Sequence, residues 1–162
     1  MITFMGRKVK TLYDFEKLDD NEDLEFQADI IFLLGKLNKK YKSKILVYAR
    51  QFTQSNNDYK RDRAIIVLGW IGKGTDTNIL ENHLLNDTNS NCRAWSASAY
   101  MQMWFRKEND FLKTKAFEAY KSALPNESDY FVLSVIFSAL REMDILDLEY
   151  LKLLWVSWTL KN

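Results

Sequence analysis

The chain has one proline, Pro125, and only five glycines in 162 residues. That is too little turn-forming material for the many tight connections of a β-sandwich or barrel. With one cysteine, Cys92, and one histidine, His83, a disulfide framework is excluded and a Cys/His zinc site lacks ligands. No apolar run reaches the roughly 20 residues that a bilayer-spanning helix needs, and the opening MITFMGRKVKTLYDF has no apolar stretch of signal-peptide length. Excess charge is missing as well. Twenty-three basic residues against 22 acidic ones leave a formal +1, which gives no global pull towards nucleic acid, membrane or acidic substrates. What is abundant is apolar material, 47% of the chain, enough at this length for one substantial core. These features predict a single helical domain in the cytoplasm, with no membrane partner, no cofactor and no metal.

Residues 1–21 carry mixed charge without a sustained period and are expected to be an arm, or one short helix around Leu12 to Leu18. From residue 22 to 162 the chain divides into apolar-periodic segments separated by the short polar breaks NKKYKS, QSNND, GKGTD, NDTNSN, RKEND, PNESD and MDILD. The segments are too long for strands, and breaks this short fold each helix back beside the one before. Eight helices in four antiparallel hairpins are expected.

One stretch tests that reading. RAIIVLGWIGKG, Arg63 to Gly74, is a greasy run with a glycine tail, and it can be read as a buried strand feeding a phosphate loop or as a helix. Its glycine order, G-x-x-G-x-G, is not the G-x-G-x-x-G of a dinucleotide turn, and Gly74 follows Lys73 where a P-loop needs Ser or Thr. Internal similarity favours the helix. Placing Arg61–Gly72 over Arg93–Trp104 pairs Arg61 with Arg93, Ala64 with Ser96, Val67 with Ala99, Leu68 with Tyr100 and Ile71 with Met103. Offsets of +3, +6, +7 and +10 from the arginine describe one helix face. The apolar position recurs at Leu34, Leu68, Tyr100 and Leu140, a spacing typical of stacked helical hairpins. Gly69 is then expected to admit a neighbouring helix, and Gly72 or Gly74 to end the helix in a left-handed conformation.

The pattern R-x-x-A-x-x-A-L-G-x-I-G, with a Leu-x-Asp break (Leu85, Asp87) before its second copy, resembles a HEAT repeat of the armadillo-type superhelical class. KRDRAIIVLGWIG and LLNDTNSNCRAWSASAYMQMW carry the resemblance; the arginine position is Gln27 in the first repeat and Leu133 in the last. It implies an all-α, right-handed superhelix of about four hairpins over residues 22–162. It also implies a concave face formed by the second helices, here Ser43–Phe52, Asp76–Asn86, Glu108–Lys121 and Leu146–Lys161. Lys44, Arg50, Gln51, Asn78, Glu81, Asn82, Lys113 and Glu118 are expected to point outward from them as a binding face.

Other residues are read beside their structural roles. Arg61 and Arg93 suit phosphate or carboxylate recognition, but their repeated place in the motif suggests a ladder pairing each with an acidic or carbonyl group of the adjacent turn, Asp87 for Arg93. His83 is expected at a helix surface or boundary, with Glu81 or Asp87 as the nearest carboxylates, and Cys92 as a buried thiol. Trp70, Trp95, Trp104, Trp155 and Trp158 are expected mainly in the core, and the apolar stripe Leu151, Leu154, Trp155 and Trp158 as a cap or an interface. Seven acidic residues lie between Asp14 and Glu25, and nine basic ones between Lys36 and Arg63, including Lys39, Lys40, Lys42 and Lys44. Those basic residues either make a solvated face or dock an acidic or phosphate-bearing partner. No catalytic residue is assigned. The expected activity is a bacterial adaptor that binds another protein, of which toxin-neutralising immunity proteins are one kind; a nucleic-acid-binding relative of the HEAT-like alkylpurine DNA glycosylases is the alternative.

Overall fold

The computed structural model describes residues 2–4, 7–9, 24–37, 41–107 and 109–145. It opens with a two-stranded antiparallel ribbon, β1 (Ile2–Phe4) and β2 (Arg7–Val9), pairing Ile2 with Val9 and Phe4 with Arg7. The suggested helix around Leu12 to Leu18 and the expected last helix, Leu146–Lys161, lie outside the described residues.

All other described elements are helical. They are α1 (Leu24–Leu37), α2 (Lys42–Phe52), α3 (Asp58–Ile71), α4 (Thr77–Asn86), α5 (Ser90–Arg106), α6 (Asp110–Ala123) and α7 (Tyr130–Glu142), with a 3-10 turn at Gly74–Asp76. The polar breaks set the starts. Asn57, Asn89, Asn109 and Asp129 each take one or two free N–H groups of the helix that follows onto the side-chain oxygen, which satisfies donors that a helix start leaves open. No helix among the described residues is long and apolar enough to cross a membrane.

The first helices of successive hairpins pack in a row, α1 on α3, α3 on α5 and α5 on α7; the second helices lie against them, with α4 also touching α6. The row explains the greasy segment. Ala64 to Gly69 are all buried, because α3 meets α1, α2 and α5 around its circumference. Leu34, Leu68, Tyr100 and Leu140, the recurring positions of the sequence, are all buried in one continuous core. A Cβ on Gly69 would stand 3.0 Å from the Ala99 Cα, so the bare backbone sets how closely α3 and α5 approach.

The end of α3 corrects one expectation. Gly72 has φ −61° and ψ 167°, an extended conformation, and Gly74 is not left-handed either. Glycine is needed at 72 because a Cβ there would collide with the Leu68 carbonyl oxygen. Arg106, at the end of α5, donates from Nε to the Gly69 carbonyl (3.1 Å) and from Nη2 to the Gly72 carbonyl (2.9 Å); these bonds do the capping that a left-handed residue does elsewhere. The one left-handed non-glycine among the described residues is Asp144, φ 50°, just past α7.

Candidate functional site

The second helices form the candidate docking face. On α2 the exposed stripe runs Lys44, Val47, Gln51; on α4 it is Asn78, Asn82, Leu85; on α6 it is Phe111, Thr114, Glu118. Steps of three and four residues keep each stripe on one side of its helix. Five of the eight residues expected at the face therefore lie on these stripes. Glu81 and Lys113 are half-buried at the flanks. Arg50 is also half-buried, and it binds Asp76 through Nε–Oδ1 (2.7 Å) and Nη2–Oδ2 (3.1 Å). It thereby ties α2 to the start of α4, and its guanidinium is committed to the fold. Sequence reading missed the apolar members: Val47 is 51% exposed, Leu85 38% and Phe111 55%. A lone apolar residue in an amphipathic segment reads as core unless its angular position is checked against the polar stripe.

A second cluster lies where the hairpins join. Asp87, in the break after α4, accepts from Arg61 Nε (3.0 Å) and Nη2 (2.9 Å), from the Asn89 backbone N–H (2.9 Å) and from His83 Nδ1 (2.8 Å). A carboxylate can only accept, so Nδ1 carries the imidazole proton. Burial pushes the Asp87 pKa up, but the bonds from Arg61, Asn89 and His83 outweigh it and bring it down to about 2. His83 is buried, not on the helix surface, and its Nε2 has no partner among the described residues. An open depression of about 370 Å³ lies over this cluster, lined also by Asn56, Asn82 and Asn86.

The arginine ladder is present with one difference in pairing. Arg61 Nη1 donates to the Ser55 carbonyl and Arg93 Nη1 to the Asp87 carbonyl, each six residues back. Their other nitrogens reach forward, Arg61 to Asp87 and Arg93 to Glu127 at 2.7 and 3.1 Å, and Arg61 Nη2 also donates back to Asp58. Asp87 thus serves Arg93 through its backbone oxygen and Arg61 through its carboxylate. With four of the five guanidinium N–H groups of Arg61 engaged, the site is a joint between hairpins.

Cys92 is buried, its Sγ 3.6 Å from the Asp58 carbonyl. Burial above all, with the nearby Asp87 charge, pushes its pKa up to about 12, so the thiolate that reacts is scarce at neutral pH. The native protein is expected to leave a thiol reagent such as DTNB unconsumed over hours and to titrate one thiol per chain once urea unfolds it; rapid reaction of the native form contradicts the burial.

The tryptophans expected in the core are half-buried at its edge: Trp70, Trp95 and Trp104 pack against it, while Trp155 and Trp158 lie outside the described residues. Trp70 faces Phe32 with centroids 4.6 Å apart, and the Arg63 guanidinium lies 4.8 Å from the Phe32 ring and 4.7 Å from the Tyr59 ring. Tyr59 donates to Asp29 at 2.6 Å, which completes a clamp between α1 and α3. The basic run Lys36–Arg63 is likewise divided. Arg50, Arg61 and Arg63 bind carboxylates, and the buried Lys60 donates to Gln27 at 3.1 Å, over the Phe52 ring.

Among the described residues no group of three or more His, Cys, Asp or Glu side chains could hold a metal ion. Compared with known proteins, the chain matches no family model, no curated protein and no solved structure.

Proposed function

We propose that the protein is a non-enzymatic docking scaffold, a right-handed stack of HEAT-like hairpins whose second helices bind another protein. One observation carries the reading: each second helix sets a single large apolar residue, Val47, Leu85 or Phe111, in solvent among uncharged and charged polar neighbours. Exposed apolar anchors ringed by polar groups are the usual composition of protein-binding hot spots. A rigid helical row loses little conformational entropy on docking. Burying the anchors would return the transfer free energy that their exposure forgoes. A bacterial immunity protein that neutralises a cognate toxin is one such scaffold, an assignment drawn from fold and size by analogy alone.

The test is affinity capture from lysate of the source cell with quantitative mass spectrometry, comparing the wild type with a Val47→Glu/Leu85→Glu variant. Both substitutions are on exposed positions, so the variant should keep its melting temperature within a few degrees. The expected result is one protein retained in near-stoichiometric amount by the wild type and depleted at least about tenfold on the variant. Identical capture by the two proteins, or none by either, contradicts the proposal.

A further inference from the structure

The ends of the hairpins differ in charge, and topology fixes which charges share an end. The first helices α1, α3 and α5 run parallel: Tyr59 of α3 bonds Asp29 of α1, Cys92 at the start of α5 meets the Asp58 carbonyl at the start of α3, and Arg106 at the end of α5 meets Gly69 and Gly72. The ends of α1, α3 and α5, where the hairpin turns begin, therefore lie together, and the starts of these helices, where the breaks between hairpins lead in, are at the opposite end. At the break end Asp58, Asp87 and Glu127 are answered by Arg61 and Arg93.

At the turn end Asp76 is answered by Arg50, but among the described residues three cations are left over. Lys36, Lys73 and Lys107 are exposed and make no ion pair among the described residues; across the first three hairpin turns Asp110 is the one exposed carboxylate described. These lysines belong to one continuous surface. Lys36 Nζ lies 5.8 Å from the Trp70 ring, Arg106 clasps the Gly72 carbonyl beside Lys73, and the Phe111 ring is the nearest side chain to Gly74. Phe105, 52% exposed, stands next to Arg106 and Phe111 is 55% exposed. Cations that make no ion pair among the described residues, beside two half-exposed phenylalanines, form a surface that an anionic group with apolar neighbours complements.

We propose that this turn end, centred on Lys73, Lys107 and Phe105, docks an acidic segment of a protein partner that also carries apolar side chains. The inference rests on the docking-scaffold reading and adds the partner's chemistry and a second contact region beside the helix face. A protein segment is favoured over a nucleic-acid backbone for two reasons. The Nε–Nη2 edge of the Arg106 guanidinium is taken by carbonyls, so that edge is not offered to a phosphate, and Asp110 interrupts the track that an unbroken row of phosphates would follow.

The probe is a fluorescein-labelled peptide of about 16 residues, glutamate with leucine at every fourth position, followed by fluorescence anisotropy. Controls are its glutamine-for-glutamate counterpart and a duplex DNA of similar charge. The acidic peptide should bind at about 50 mM salt and weaken at least about tenfold by 300 mM. A loss of at least about tenfold is also expected with the Lys73→Glu/Lys107→Glu variant and with the glutamine peptide, and a loss of severalfold with Phe105→Ala. The Val47→Glu/Leu85→Glu variant should bind it as the wild type does. Absent peptide binding at low salt, binding indifferent to Lys73 and Lys107, or DNA bound more tightly than the peptide would each overturn the proposal. The scaffold reading is separable from it: if Val47→Glu/Leu85→Glu abolishes capture of the natural partner while Lys73→Glu/Lys107→Glu leaves capture intact, the helix face stands and the turn end is not a contact.

Discussion

Replacing Asp87 by alanine is expected to lower the free energy of unfolding by about 3–5 kcal/mol, the range for removing one partner of a buried ion pair. The Asp87 side chain is only 3% exposed and that of Arg61 only 11%. The substitution would strand Arg61 with the Ser55 carbonyl and the exposed Asp58, remove the acceptor of His83 Nδ1, and leave the Asn89 N–H unmet. Three desolvated donors then lose their acceptor at once, and the cost of unmet buried donors exceeds the net worth of the bonds themselves. Urea unfolding at neutral pH measures this as a lower midpoint at unchanged slope; Asp87→Asn, which keeps an acceptor oxygen but no charge, should fall between the two.

The same carboxylate gives a pH signature. Its folded pKa of about 2 lies below the ordinary aspartate value of about 3.9, so the unfolded chain takes up the proton first as pH falls. The stability it contributes is therefore complete above pH 5 or so and is lost between about pH 4 and 2. Glu127 moves in the same direction: burial raises its pKa, and the bonds from Arg93 and from the Asp129 and Ser128 N–H groups more than reverse that. Wild-type stability should decline through this acid range, and the Asp87→Ala protein should decline less steeply. An equally steep acid decline in the variant would show that Asp87 is not the group responsible.

The second large effect is expected at Leu68→Ala, about 2–5 kcal/mol as for fully buried leucines elsewhere. Leu68 has no exposed surface and lies on a helix that packs against three others, so little can collapse into the space left by its isobutyl group without disturbing a neighbouring hairpin. Leu85→Ala is the internal comparison. That leucine is 38% exposed and its truncation should cost within about 0.5 kcal/mol. Similar losses at the two sites would mean that α3 is not the interior helix it is described to be.

The repeat that identified α3 was legible because its information is local. The recurring apolar position depends on spacing within one helix, and Leu34, Leu68, Tyr100 and Leu140 are all buried. The polar breaks were legible for the same reason, and Asn57, Asn89 and Asn109, which cap the helices, lie in them. Partner choice across hairpins was less accessible: Asp87 was visible as a carboxylate near Arg93, but only the assembled joint shows that its carboxylate turns back to Arg61, 26 residues away, while its carbonyl takes Arg93. His83 was read at a helix surface or boundary because its flanking leucines, Leu80 and Leu84, already accounted for the buried side; it is buried all the same, bonded to Asp87 four residues on. Gly72 was read through the commonest glycine role, positive φ, whereas its actual constraint is the Leu68 carbonyl. The ribbon at Ile2–Val9 escaped notice because strands of three residues are too short to show an alternation.

Native-state hydrogen exchange with mass spectrometry tests the stacked row most directly. If α3 and α5 are sandwiched between neighbouring hairpins, peptides covering Ala64–Leu68 and Ser96–Tyr100 should exchange only through global opening, at the free energy that urea unfolding gives, with α2 and α6 opening more readily. Exchange of the Ala64–Leu68 amides well below the global free energy, or faster than that of α2, would contradict the arrangement on which the docking face depends.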